Sequence, residues 1–170
     1  MKVLNFLLIG FLVSACSSNA HLKFNEEFSS YTTVKNFACL YEQPFKINYS
    51  YELISFPLLG YACYKLKTNP TAEDFKLSDT YEYPVSENEL LFKPLKTILL
   101  DSNDSKGKFV FLNFLEKYHK DLVFVFKKDY PPVVQIKDGK VIQFVFYGVI
   151  YSPKSNIAFC VRIYDFKCEW

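Results

Sequence analysis

The sequence predicts a mainly β protein whose antiparallel strands form a sandwich-like, two-layer domain with one short helix. Three observations support this class. Short runs rich in β-branched and aromatic residues are separated by turn signals. An Asp-Gly pair, Asp138 and Gly139, stands between two such runs, which is typical of a β-hairpin. The chain of 170 residues has single-domain length and contains no internal repeat.

The segment 37–100 is predicted to form short strands separated by turns. Side chains alternate most clearly where Phe45, Ile47 and Tyr49 share one face of a strand. Ser86 and Glu89 fit a helix capping box, but Pro94 is expected to break the helix that would follow. Strands are therefore expected at 37–41, 45–54, 58–66, 79–85, 89–93 and 95–100.

The second half begins with a polar loop at 101–107 and the one helix expected, 109–120. Phe111, Phe114, Leu115 and Tyr118 recur there at helical spacing, although the aromatic and β-branched content leaves a strand as the alternative. Strands follow at 122–126 and 133–137 and after the Asp-Gly turn. The core faces of the last two strands should carry Ile142, Phe144, Phe146, Gly148 and Ile150, and then Ile157, Phe159, Val161 and Ile163.

The first fifteen residues have the pattern of an export signal. Lys2 supplies a positive charge, an apolar stretch covers 3–13, and the small residues Ser14 and Ala15 precede Cys16. Eleven helical residues rise ~16 Å, about half of a ~30 Å hydrocarbon core. The stretch is therefore interpreted as a cleaved signal peptide and not as a permanent membrane span.

The residues Val13-Ser14-Ala15-Cys16 resemble a bacterial lipobox. The resemblance implies cleavage before Cys16, a diacylglyceryl thioether on its sulfur and acylation of the new N-terminus. Ser17 stands where aspartate is the inner-membrane retention signal of enteric bacteria, so outer-membrane anchoring facing the periplasm is implied. The expected division is a signal peptide at 1–15, a lipidated N-terminus and tether at 16–30, and one globular domain at 31–170.

Composition argues against nucleic acid as a partner. Loss of Lys2 with the signal lowers the formal net charge from +2 to +1, whereas nucleic-acid binding needs clustered positive charge. Arg162 is the sole arginine among twenty basic residues, so bidentate phosphate or carboxylate clamps are scarce.

Four cysteines remain after Cys16, namely Cys39, Cys63, Cys160 and Cys168. An even number in an exported chain predicts two disulfides, because the periplasm is oxidising. Cys160 and Cys168 would lie ~26 Å apart on one straight strand, which disfavours that pair. A link between the N-terminal half and the last strand is preferred. Zinc is the rival interpretation, but the cysteine and histidine spacings are unsuitable, and no metal or cofactor is predicted.

The sequence favours a binding protein over an enzyme. His119 is the only histidine beyond the expected tether, and no serine-hydrolase, metalloprotease or nucleotide-binding motif is present. The thirteen tyrosines are more distinctive, because tyrosine is enriched at protein interfaces. A protein-binding surface is the hypothesis for one group, with ordinary sheet packing as the alternative: Tyr49, Tyr51, Tyr61, Tyr64, Tyr81 and Tyr83.

The lipobox, the strand around Cys39 and the closing Ile157-Ala158-Phe159-Cys160-Val161 together resemble small lipoproteins described as type VI secretion immunity proteins. That resemblance implies a non-catalytic protein that binds and neutralises a toxic effector in the periplasm. Two alternatives stay open. One is an envelope structural or surface-interaction lipoprotein, such as an adhesin or assembly factor, and the other is an envelope hydrolase that uses His119.

Cys16→Ser is expected to block lipid attachment while leaving the domain folded, because the substitution removes only the thiol that accepts the alkyl group. Membrane fractionation and a protease-resistance assay measure the two effects. Retention of a processed Cys16→Ser form in the membrane fraction would contradict the anchor assignment.

Overall fold

A single antiparallel sheet organises the fold. A computed structural model describes residues 24–46, 55–83, 88–101, 107–138 and 140–167. Within these residues the strands are β1 (Phe37–Lys46), β2 (Ser55–Leu66), β3 (Thr80–Glu82), β4 (Val123–Lys127), β5 (Val133–Lys137), β6 (Lys140–Tyr151) and β7 (Ile157–Lys167). The helices are α1 (24–29), α2 (Asn88–Asp101) and α3 (Gly107–Lys117), with 3-10 turns at Ala72–Phe75 and His119–Asp121.

The strand order is β1-β2-β7-β6-β4-β3, and β5 also pairs with β6. The predicted mainly β, antiparallel class is therefore confirmed. Helices, and not a second sheet, form the layers against the sheet in the described part of the chain. The predicted hairpin is also confirmed, since Lys137 pairs with Lys140 and Asp138 has the positive φ of 51° that a two-residue turn requires.

Strands β4 and β5 share one edge of β6. Phe126 pairs with Gly148, and Val133 pairs with Val145. Six residues lie between Phe126 and Val133, whereas only two lie between Val145 and Gly148 on β6. The extra residues include Pro131 and Pro132, which have no N–H to donate to a ladder. The two strands thus form one edge that is interrupted by a proline-containing insertion.

One face of the sheet packs against α2 and α3. The inward residues predicted for the last two strands are confirmed as core where Phe144, Phe146 and Ile150 meet Phe159 and Val161. The Phe111 ring of α3 stacks on Phe159 with a centroid separation of 4.1 Å. The helix can approach this closely because it begins with glycine: a Cβ on Gly107 would collide with the ring of Tyr41 and the hydroxyl of Tyr61.

The strands predicted at 89–93 and 95–100 are wrong, because this segment forms α2. Leu91, Leu95 and Ile98 recur at helical spacing and are buried against the sheet. An interior proline costs a helix ~3 kcal/mol, whereas burial of each large aliphatic side chain contributes ~1.5–3 kcal/mol. The buried stripe therefore outweighs Pro94. The segment 109–120 is helical over most of its length, so its strand alternative is also wrong.

The opposite face of the sheet packs against α1, which corrects the expected tether. Phe24, Phe28 and Tyr31 are each at most 3% exposed and join the core cluster of Tyr64 and Phe75. Phe24 and Phe28 are four residues apart on one face of α1, and Tyr31 lies in the turn that follows the helix. The folded domain therefore includes residues from Phe24 onward, and 24–30 are not part of a tether.

An ion pair holds α1 on the sheet. Glu27 on α1 accepts hydrogen bonds from the Arg162 guanidinium on β7, and the two side chains are only 16% and 26% exposed. The same guanidinium lies over the Phe24 ring, 5.1 Å from its centroid. The chain's sole arginine is thus committed to the attachment of the N-terminal helix.

Glu27→Ala is expected to lower the free energy of unfolding by about 2 kcal/mol, because it leaves a largely buried guanidinium without its carboxylate. The matched control is Glu26→Ala, since Glu26 is exposed on the same helix and should cost less than about 0.5 kcal/mol. Urea denaturation of the purified protein measures both. Equal, small effects would show that α1 is not held by this pair.

Candidate functional site

A groove lies at the end of the sheet where β1 begins and β2 ends. Its larger part, about 450 Å³, is open to solvent and is lined by Asn36, Phe37, Ala38, Lys65, Leu66, Lys67 and Asn156. A smaller, more enclosed depression of about 230 Å³ adjoins it and shares Asn36, Leu66 and Lys67. The two depressions together are called the lysine groove below.

Hydrogen bonds fix the walls of the lysine groove. The Thr33 N–H donates to the carbonyl oxygen of Asp74 at 2.8 Å, which ties the segment before β1 to the 3-10 turn. The Leu66 N–H donates to the Asn156 carbonyl at 2.7 Å, and the Asn156 side-chain amide donates back to Leu66 at 3.3 Å. The end of β2 is therefore held against the turn before β7.

Positive charge dominates the lysine groove. Lys35, Lys65 and Lys67 are exposed, and none of them forms an ion pair with any residue in the described ranges. Asp74 also lines the smaller depression, but its carboxylate accepts from the Thr71 N–H at 2.7 Å and the Thr71 hydroxyl at 3.0 Å. The described lining thus carries three ammonium groups and one carboxylate, which leaves the groove with net positive charge.

Strand β1 borders the lysine groove and forms one edge of the sheet. Among the described strands only β2 pairs with it, so its outer edge carries unpaired main-chain groups. The pairing is regular from Phe37 to Cys39 and then shifts at Leu40, which is 54% exposed. This irregularity turns Cys39 and Tyr41 to opposite faces of the sheet.

The tyrosine group proposed as a binding surface is not one surface. Tyr61 and Tyr64 are fully buried, and they belong to the cores on opposite faces of the sheet. Tyr81 is 53% exposed and Tyr83 is half-buried. Tyr49 and Tyr51 lie outside the described residues. Sheet packing therefore accounts for Tyr61 and Tyr64.

His119 links the 3-10 turn after α3 to the beginning of α2. Its Nε2 lies 2.6 Å from Oε1 of Glu89, and its ring packs on Phe92 with the centroids 4.0 Å apart. The ring is 37% exposed, so the pair lies at the surface of the helical layer. His119 and Glu89 are well separated in sequence, and only the antiparallel packing of α2 and α3 brings them together.

The expected pair of disulfides is contradicted by the positions of three cysteines. Cys39, Cys63 and Cys160 carry free thiols. Cys63 faces the α2–α3 side, whereas Cys39 and Cys160 face the α1 side with β2 between their strands. Two strand spacings are ~9.6 Å, beyond the ~7 Å reach of a disulfide. Cys168 lies outside the described residues, but two disulfides would need one bond within this trio.

Burial makes the two core thiols poor nucleophiles. Desolvation raises the pKa of Cys63 from 9.0 to about 12. Desolvation also raises the pKa of Cys160 well above its usual value, with a further contribution from the Glu27 carboxylate. Cys39 is half-buried, and its pKa is raised for the same reason as that of Cys63. These cysteines therefore act as small core side chains near neutral pH.

The lysine groove was not predicted from the sequence. Lys65 and Lys67 alternate at the end of a strand, but Lys35 is thirty positions away and joins them only through the pairing of Phe37 with Leu66. In the sequence the lysines are interspersed with acidic residues, a pattern typical of a solvated surface. One part of the signal is local: Asp74, the only acidic residue among the described lining residues, follows Thr71 at capping-box spacing.

Iodoacetamide at pH 8 is expected to alkylate Cys39 faster than Cys63 or Cys160. For Cys63 the raised pKa alone lowers the thiolate fraction roughly thousandfold. Mass mapping of cysteine peptides measures each site, and alkylation in urea without reductant is the control. A site that stays blocked in urea would show that its thiol is bonded after all.

Comparison with known proteins finds no match to any family model, to any curated protein or to any solved structure. Of the helices in the described ranges, none has the length and apolar character to cross a bilayer.

Proposed function

We propose that this chain is a lipid-anchored protein of the bacterial envelope that acts by binding another protein. The lysine groove is the observation that carries the proposal. Its three lysines have no partner among the described residues, and its walls are held by main-chain hydrogen bonds. A preformed, charged depression beside an open strand edge offers both charge and main-chain groups to a partner.

The anchor assignment adds a geometric constraint to this proposal. Seven residues separate Cys16 from Phe24, where the described domain begins, and a chain of that length reaches at most ~30 Å. A lipidated Cys16 therefore keeps the domain close to the membrane surface. A binding site on such a domain suits a partner that is itself delivered into the periplasm.

The partner class proposed is a toxic effector from a neighbouring cell, as the resemblance to immunity lipoproteins implies. An immunity protein neutralises its toxin by occupying it and needs no chemistry of its own. His119 is engaged by Glu89 and Phe92 in a contact that joins α2 to the turn after α3. The free thiols of Cys63 and Cys160 are buried, and their raised pKa values keep them protonated.

Deletion of the gene is expected to sensitise cells in competition against a sibling strain that secretes the matching toxin, and the full chain should restore protection. Complementation with Cys16→Ser should restore it poorly, because the domain is no longer held at the membrane. Cys39→Ser is the matched control and should protect fully, since Cys39 forms no disulfide.

No change in competition against any sibling strain would contradict the immunity role. Protease treatment of intact cells separates it from a surface adhesin, because a periplasmic protein is shielded by the outer membrane. Rapid digestion of the domain on intact cells would favour the adhesin or assembly-factor alternative.

A further inference from the structure

We infer that the lysine groove binds an acidic, extended segment of a protein partner, which pairs with Lys35, Lys65 and Lys67 and continues along the edge of β1. This inference rests on the proposed function, because it names the chemistry of the partner at the same site. Three features of the groove carry it: charge, size and the strand edge.

Charge sets the sign of the ligand. Three exposed ammonium groups line two adjoining depressions, and the described lining holds a single carboxylate, that of Asp74, which accepts two hydrogen bonds from Thr71. Lysine is a flexible point charge without the planar fork of arginine, so it does not demand one fixed anion geometry. The only arginine of the chain is already paired with Glu27. Carboxylates spaced along a peptide suit such a set of cations.

Size favours a segment of chain over a single ion. The larger depression, of about 450 Å³, lies in the range of pockets that take small organic ligands, and the neighbouring one extends it by about 230 Å³. Asn36, Leu66 and Lys67 belong to both, so the depressions adjoin. One continuous ligand can therefore contact Lys35 in one part and Lys65 in the other.

The strand edge supplies main-chain partners. Phe37 and Ala38 line the larger depression and are also the first residues of β1. Their outer edge pairs with no strand in the described part of the chain, and the pairing with β2 is regular until the shift at Leu40. An extended segment leaving the groove can add a short strand there, and the irregularity limits it to about three residues.

The test uses the full-length, lipidated chain in neutral detergent and fluorescein-labelled decapeptides. A peptide of alternating glutamate and threonine is the probe, and its glutamine-threonine and lysine-threonine counterparts are controls. Fluorescence anisotropy should show binding of the acidic peptide only. Added salt should weaken that binding, because exposed charges are screened. Equal binding of the glutamine peptide would overturn the charge argument.

Variants locate the site. Lys35→Glu, Lys65→Glu and Lys67→Glu combined should reduce the affinity for the acidic peptide at least ~10-fold, because the charge attraction becomes repulsion. The matched control reverses three exposed lysines elsewhere, Lys93, Lys120 and Lys137, with the same change in net charge. Equal losses in both triple variants would overturn the inference, because the binding would then be non-specific. N-methylation of alternate peptide residues should also weaken binding if a strand is added at β1, and an unchanged affinity would contradict that part.

Two further arms exclude other anions. Binding of Cys16→Ser protein to phosphatidylglycerol vesicles but not to the acidic peptide would make the groove a membrane contact and overturn the inference. Complete displacement of the peptide by millimolar inorganic phosphate would make it a phosphate site, with the same consequence. Persistent peptide binding in both arms supports the inference.

The competition assay separates this inference from the proposed function. If the groove variant reaches the membrane but fails to protect, both stand. If it protects as well as the unaltered chain, the groove inference fails and the immunity role remains. If deletion of the gene has no competition phenotype, the immunity role fails, and peptide binding alone decides what the groove recognises.

Discussion

The fold depends on burying both faces of the central strands β2 and β7. Phe159, Val161 and Ile163 of β7 face α2 and α3. Ala158 and Cys160, which alternate with them along the strand, face α1. A strand that is apolar on both sides cannot leave either side in water without losing most of its contribution to folding. Each face therefore requires a cover, and the chain supplies it from segments far apart in sequence. The ion pair of Glu27 and Arg162 holds α1, the smaller of these two helical layers, on the sheet.

The same constraint explains which parts of the fold were predictable. The β5–β6 hairpin and the inward residues of β6 and β7 follow from a local turn and a period of two, and both were predicted correctly. Helices α1 and α2 were missed for different reasons. Helix α1 spans only 24–29, too short a segment for an apolar pattern to predict a helix, and it adjoins the segment interpreted as an export signal. In α2, Pro94 predicts a break, and the buried stripe at helical spacing outweighs it only because the sheet supplies the surface that buries the stripe.

The candidate site was less predictable than the fold, because it depends on register. The abundance of tyrosine drew attention to Tyr61 and Tyr64, but a large amphipathic ring in a central strand packs into a core and finds a partner for its hydroxyl there. The Tyr64 hydroxyl, for example, donates to the Asn25 side chain at 2.9 Å. The lysines of the groove are no easier to group from the sequence. Lys35 and Lys67 become neighbours only once β1 and β2 are aligned, which no local pattern reveals.

The interrupted edge formed by β4 and β5 has a consequence for assembly of the protein with itself. An open strand edge such as β1 is a hazard, because it can template a neighbouring chain. Growth of a continuous intermolecular sheet by head-to-tail stacking needs a second, complementary edge at the far side. There the described chain presents the three-residue strand β3 and an insertion containing Pro131 and Pro132. Within the described residues the far edge is therefore a poor template, which disfavours head-to-tail stacking of the sheet.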